Sequence, residues 1–236
     1  MLISAGELVP DVILPLENGD HLSRSEFERR YEAMPPGKKA ELIEGVVYMP
    51  SPVTFAEHGG PHADLISLIG IYRFSTPGVL AGDNCSVRLD LDNEPQPDIV
   101  LFIEPACGGQ LLPQTGRYVE GAPELVVEIA ASSASIDLHD KLTAYRRNGV
   151  REYVVWRVLE RVIDWFALRQ DNFVPMPAGP DGVFRSAILP GLWLDAPAVI
   201  RGDWPAAMQA IQTGIASPEH AAFVEKLQQH RKPAAP

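Results

Sequence analysis

Cysteine is scarce in this chain: Cys85 and Cys107 are the only two among 236 residues, and neither has a partner at zinc-finger spacing. That excludes a disulfide-stapled scaffold and a cysteine-ligated zinc module, and two free thiols fit a reducing compartment. Long apolar stretches are missing too. No window approaches the roughly 18 apolar residues of a membrane-spanning helix. Residues 1–7 (MLISAGE) lack the basic start and apolar run of a secretory signal. The expected location is therefore the cytoplasm, with no membrane partner. Positive charge is in deficit: 20 Lys and Arg face 31 Asp and Glu, a net charge of −11. Sequence-independent binding to nucleic acid depends on neutralising phosphates, and this balance argues against a strong form of it. No GxSxG elbow, P-loop, GxGxxG fingerprint or HExxH motif occurs.

What is there is an ordinary globular composition, 46% hydrophobic and 22% charged, long enough for a sizeable core. The 22 prolines point to many loops. Charge is unevenly spread. Residues 75–136 hold nine acids against two bases, whereas 137–170 hold seven bases against five acids. The second segment is either a local basic surface or an ordinary solvated helix and hairpin.

Along the chain, residues 1–22 read as an irregular lead-in with a turn at Asn18-Gly19. Ser23 or Ser25 can cap a short helix to about Ala33, and 40–49 forms a hairpin turning at Glu44-Gly45. The spacing of Leu65, Ile66, Ile69 and Tyr72 predicts a helix over 62–74, and the alternation across 84–92 predicts a half-exposed strand. Two near-continuous apolar runs, 98–103 and 124–131, have the character of central strands covered on both faces. A helix over 136–148 follows, closed by Asn148-Gly149, then a hairpin of 153–159 and 162–168 through Glu160-Arg161. Weaker strands lie near Phe173 and over 183–188, and an LPGL turn (189–192) closes the domain near residue 200. Residues 203–236 look helical, with a Pro/Ala tail expected to fray. The order of elements predicts an α+β (α/β) domain on a mixed sheet flanked by helices, spanning 23–200, with a helical extension over 201–236.

The chemistry concentrates in two acids placed in apolar strands. Asp98 follows Pro97 at the mouth of the first run, and Glu128 is flanked by apolar residues in the second. A buried carboxylate needs a charged, hydrogen-bonding or metal partner. Each acid has a plain structural explanation, a strand-entry turn for Asp98 and an arginine or amide partner for Glu128. Together, on adjacent strands, they can converge on one magnesium ion. On a helical wheel Leu138, Leu142 and Tyr145 form the apolar stripe, with Lys141 at its edge and Asp137 one turn before it. Lys141 can reach the carboxylates from the helix, or form an ordinary i,i+4 pair with Asp137 worth about 0.2–0.5 kcal/mol. Asp140 points away and should be solvated. Glu41 and Glu44 straddle a turn and could lend a further carboxylate. His58 and His62 are four apart, but Gly59, Gly60 and Pro61 between them argue against a helical zinc pair. Ser132, Ser133 and Ser135 read most simply as caps for the next helix.

The ordered pattern AELIEG (40–45), His58, PD (97–98), PELVVEIAASS (123–133), D-x3-K (137–141), Tyr145, GVREYVVW (149–156) and LPGL (189–192) resembles a large bacterial family of restriction-type endonucleases. That family lies within the PD-(D/E)XK nuclease superfamily, and the likeness covers roughly residues 23–200. It implies a restriction endonuclease-like core with added hairpins and a magnesium-dependent nuclease site in which manganese can substitute. By position, Asp98 and Glu128 become metal ligands, the Ile129 carbonyl a third ligand, and Glu41 an additional acid of the site. Two residues after Glu128 stands Ala130, where the strict signature has lysine. The related family carries that lysine on the following helix, which is the place of Lys141. The implied activity is hydrolysis of DNA phosphodiester bonds, with RNA left open and a homodimer plausible. The rival reading is a catalytically silent descendant acting as a binding or regulatory protein, and the acidic balance and Ala130 favour it.

Overall fold

The two apolar runs become strands β5 (Ile99–Ile103) and β7 (Leu125–Ala130), in which every residue is buried. In the computed structural model, which describes residues 12–50, 52, 54–112, 118–131 and 133–231, they pair antiparallel, with Ile99 opposite Val127. On its other side β7 runs parallel to β8 (Glu152–Arg157). Parallel neighbours need a crossover, and α3 (Ala134–Leu138) and α4 (Asp140–Arg147) supply it. Strands β9 (Val162–Arg169), β10 (Asn172–Pro175) and β3 (Val79–Asp83) complete a six-stranded mixed sheet of order β10-β9-β8-β7-β5-β3. The expected α+β architecture with a helix-flanked mixed sheet is what the chain adopts.

Alternation within the buried strands splits the core into two faces. Ile99, Leu101, Leu125 and Val127 point into a cluster with α2 (Gly60–Ser75), α6 (Trp204–Ile215) and α7 (Pro218–His230). Val100, Phe102 and Val126 point the other way, toward Tyr145 and Tyr153. Helix α2 presents Leu65, Leu68, Ile69 and Tyr72 at helical spacing, and each such side chain contributes about 1.5–3 kcal/mol by leaving water. The C-terminal helices belong to the same core through Ala207, Ile211 and Leu227. Gly214 of α6 approaches the LPGL turn so closely that an added Cβ would collide with the Gly191 carbonyl. The tail at 232–236, like the start of the lead-in at 1–11, lies outside the described residues.

The remaining elements frame the sheet. Helix α1 (Arg24–Glu32) precedes the hairpin β1 (Glu41–Ile43) and β2 (Val46–Tyr48). Glu44 at φ 50° and Gly45 at φ 74° make the turn expected there, a two-residue type with both central φ angles positive. Arg161, at φ 57°, turns the β8–β9 hairpin in the same region of backbone space. Short pairs β4 (Val87–Arg88) with β6 (Val119–Glu120) and β11 (Val183–Arg185) with β12 (Trp193–Asp195) lie outside the main sheet, and α5 (Ala196–Arg201) follows β12.

Two expectations change, and one strand was not foreseen. The strand proposed over 84–92 shrinks to Val87–Arg88, because Asp90 accepts from the Asp92 amide at 2.8 Å and turns the chain. Leu91, an apolar residue of that alternation, is 74% exposed. The edge strand β3 has no clear sequence signal, since Ala81-Gly82 interrupts any apolar alternation. The helix expected over 136–148 is two helices, broken at His139 with φ −125° and ψ −76°. No helix among the described residues is long and apolar enough to cross a membrane.

Candidate active site

Glu128 lies on β7 on the face that α4 covers, and its Oε1 accepts from Lys141 Nζ at 3.0 Å and from the Tyr145 hydroxyl at 2.9 Å. Lys141 and Tyr145 are four residues apart, so one side of the helix delivers both donors. Glu128 Oε2 has no hydrogen-bond donor among the described residues. Lys141 Nζ also lies 3.0 Å from Glu41 Oε1 and 3.7 Å from Asp137 Oδ1. The i,i+4 pair with Asp137 and the reach toward the sheet therefore coexist. Glu41 comes from β1, and its Oε1 also accepts the Gln96 amide at 2.6 Å, which ties the hairpin to the segment leading into Asp98.

Asp98 sits one residue before β5. Because Ile99 pairs with Val127, the next residues outward, Asp98 and Glu128, face each other across the two strands. Asp98 Oδ2 accepts the Ile129 amide at 2.7 Å, and His58 Nε2 lies 3.1 Å from Oδ1. The contact that Ile129 makes with Asp98 is thus through its N–H. The four proposed side chains, Glu41, Asp98, Glu128 and Lys141, converge at one end of the sheet and are all buried. Asp140 is exposed, as its wheel position implied, and accepts from the Tyr48 hydroxyl at 2.8 Å.

Burial and mutual repulsion push these groups in different directions. Burial raises the Glu128 carboxyl well above the carboxylate range, Lys141 opposes it, and Asp137, Asp98 and Glu41 reinforce it. Burial raises Asp137 as well, against Lys141 and the Ser133 hydroxyl. For Asp98 burial is outweighed: the His58 hydrogen bond and charge, the Ile129 amide and Lys141 hold it below the usual range. Burial works against the Lys141 ammonium, but Glu128, Glu41 and Asp137 raise it well above an ordinary lysine. Lys141 is therefore a fixed cation, suited to stabilising negative charge and unsuited to taking a proton from water.

The sequence disfavours His58 and His62 as a zinc pair, while the family likeness includes His58; the structure places both rings beside Asp98. Residues Phe55–Gly59 form a π-helical turn leading directly into α2. Gly60 has helical angles, and Pro61 falls in the first turn of α2, where proline is tolerated. His58 and His62 thus project side by side, ring centroids 5.8 Å apart. His62 Nε2 lies 3.1 Å from Asp83 Oδ1 and 3.2 Å from the Asp98 carbonyl oxygen. Both serve Asp98 and its surroundings, and they do not share a zinc-type donor set. The signal for Tyr145 lay in its i+4 spacing from Lys141. Ser133 directs its hydroxyl to Asp137 Oδ2 at 2.6 Å and makes no side-chain cap, while Ser132 lies outside the described residues.

The basic segment is neutralised in part, at three of its seven cations. Arg147 pairs with Glu44 and Asp90, Arg157 pairs with Asp164 and Glu160, and Lys141 is buried. Among the described residues no three His, Cys, Asp or Glu side chains stand together as a ready metal cage. Magnesium is nevertheless commonly held by one or two carboxylates, with water and substrate oxygens filling its remaining positions. The donor set here is oxygen-rich, excess negative charge is buried around it, and Glu128 Oε2 lacks a donor. The chemistry of this donor set is of the kind that a hard divalent cation takes.

The sequence profile of the Uma2 family, described as "Putative restriction endonuclease", matches residues 24–197. The chain belongs to the Uma2 family. A crystal structure from Anabaena variabilis, described as a putative nuclease belonging to DUF820, is similar to this Uma2 chain with a TM-score of 0.57 and 16% identity. The likeness covers 75% of this chain and 97% of that one, and at this identity it speaks for a shared fold. No curated protein matches the chain. In this Uma2 chain the family match takes in α1 through β12, so every residue of the buried acid cluster lies within it.

Proposed function

We propose that this Uma2 protein is a divalent-metal-dependent endonuclease that hydrolyses DNA phosphodiester bonds. The observation that carries the reading is the facing pair Asp98 and Glu128, with the buried Lys141 ammonium hydrogen-bonded to Glu128. Bound Mg²⁺, or Mn²⁺ in its place, would supply Lewis-acid polarisation of the phosphoryl group and a nucleophilic water. Asp98 and Glu128 would hold it. Asp98 is kept ionised and oriented by His58 and the Ile129 amide. Lys141 supplies a permanent positive charge beside the developing phosphorane-like anion, and Glu41 anchors that lysine from the hairpin. Hydrolysis of both strands of a duplex suits two copies of the site, and a homodimer belongs to this reading.

The test is incubation of the purified chain with plasmid, linear and single-stranded DNA and with RNA, with Mg²⁺ or Mn²⁺ and with chelator. Metal-dependent cleavage is expected, falling about 10²–10³-fold in Asp98→Ala, the scale of losing one group that stabilises transition-state charge. Cleavage equal in the two proteins would sink the reading. A second reading, a silent binding protein, draws on two observations: Ala130 is buried where the strict motif has lysine, and three acids enclose Lys141. Calorimetric titration with Mn²⁺ separates the two. The silent form shows no binding that depends on Glu128.

A further inference from the structure

Glu128 has two oxygens, and the structure treats them differently. Oε1 receives both the Lys141 ammonium at 3.0 Å and the Tyr145 hydroxyl at 2.9 Å, whereas Oε2 receives no donor among the described residues. A carboxylate held by lysine alone can still swing about its terminal torsion, because an ammonium is a point charge on a flexible stem. The tyrosine hydroxyl is different: it sits on a ring with no free conformers. Tyr145 is fully buried, packs 5.0 Å from the Tyr153 ring at 55°, and belongs to the apolar cluster on that face of the sheet. Tyr153 in turn donates its hydroxyl to the Asp137 carbonyl at 2.9 Å, which holds α3 and α4 against the sheet.

We infer that Tyr145 is a positioning residue: its hydroxyl fixes the rotation of the Glu128 carboxylate so that Oε2 is presented toward Asp98 as a ligand for a divalent cation. The inference rests on the metal-site part of the proposed function and not on the cleavage itself. Partners that orient a metal ligand typically change metal affinity about 10–100-fold when removed. Tyr153 offers a matched control, since it is equally buried, packs at a tilt against the Tyr145 ring, and its hydroxyl is bonded to a backbone carbonyl.

The experiment compares Tyr145→Phe with Tyr153→Phe in the full chain. Mn²⁺ affinity is read by calorimetry, and thermal unfolding is followed in chelator. Both variants should unfold at slightly lower temperature than the parent. Only Tyr145→Phe should weaken Mn²⁺ binding, by about 10–100-fold. Equal affinities in the two variants overturn the inference and reduce Tyr145 to a structural hydroxyl, and a parent chain that binds no Mn²⁺ overturns it as well. If the parent binds Mn²⁺, Tyr145→Phe weakens that binding and no substrate is cleaved, the positioning role stands while the nuclease reading fails. Where cleavage is present, Tyr145→Phe should lose rate at low Mn²⁺ and regain it at saturating Mn²⁺. A loss undiminished at saturation counts against positioning of a metal ligand.

Discussion

The two ends of the central strands treat buried acids in opposite ways. At one end Glu124 accepts the Ile103 and Gln110 amides at 2.8 and 3.0 Å, one on each oxygen. Nearby, Glu152 accepts the Ser186 hydroxyl, the Trp165 indole N–H and the Ala187 and Ile188 amides. Among the described residues their donors are neutral groups of β5, β9 and the loops around Gln110 and 186–188, with the Arg151 charge also acting on Glu124. At the other end Glu128 shares a single ammonium with Glu41 and Asp137, and one of its oxygens has no donor among the described residues. Burial raises all three glutamates. What separates them is the opposing influence: saturated neutral hydrogen bonds at the structural end, and a shared cation among crowded acids at the other. A buried acid is thus informative about function when its own surroundings leave it incompletely satisfied.

The comparison can be broken most forcefully at Lys141. Lys141→Met strands three carboxylates in the interior and should lower stability by about 3–5 kcal/mol, the range for breaking a buried ion pair. Chemical denaturation measures the loss, and added Mg²⁺ should restore part of it by replacing positive charge. Glu152→Ala should cost less, about 2–3 kcal/mol for buried donors left without an acceptor, and Mg²⁺ should restore none of it. A metal response in Glu152→Ala, or its absence in Lys141→Met, would erase the distinction between the two ends.

Glu94 provides the mildest test, because it stands between the two types. Its backbone bridges Leu42 beside the site hairpin, yet its Oε2 is buried without a hydrogen bond, 3.6 Å from Arg88 Nε. Burial and the Glu28 carboxyl push it up to about 8 from 4.5, against Arg88 and Arg24. The folded-state value lies above the unfolded one, so the folded chain binds the proton more tightly. The stabilisation from this group is complete below about 4.5 and is lost as pH rises through about 8. Glu94→Gln should therefore shrink the drop in Tm between pH 6 and pH 8 by about 4–8 °C, equivalent to about 2 kcal/mol in a chain of this size. An unchanged drop would show that another group carries the pH dependence.

Much of the site was legible before the structure. Asp98 and Glu128 stood out because charged residues are rare in runs that otherwise bury every side chain, and Lys141 because its wheel position put it beside the buried stripe. The hairpin at Glu44-Gly45 was legible from turn chemistry. Other features were not. A helical pairing of His58 with His62 looked disqualified by Gly59-Gly60-Pro61, yet that segment continues a π-helical turn into α2, a backbone choice that local propensity does not reveal. The strand over 84–92 failed because the Asp90 side chain turned the chain locally, which alternation alone cannot register. Glu152 drew no notice, because its four donors come from β9 and the distant 186–188 loop.

By itself the sequence determined which side chains would be buried and which acids would be out of place there, because hydrophobic periodicity and the penalty for desolvating charge are local properties read residue by residue. It could not determine whom each acid would meet. The pairing of Ile99 with Val127, which sets Asp98 opposite Glu128, depends on strand register between segments far apart in the chain. The caging of Lys141 by acids from β1, β7 and α3 depends on packing three separate elements around one ammonium. Tertiary structure made those decisions, since a buried charge is only as stable as the partners that folding brings to it.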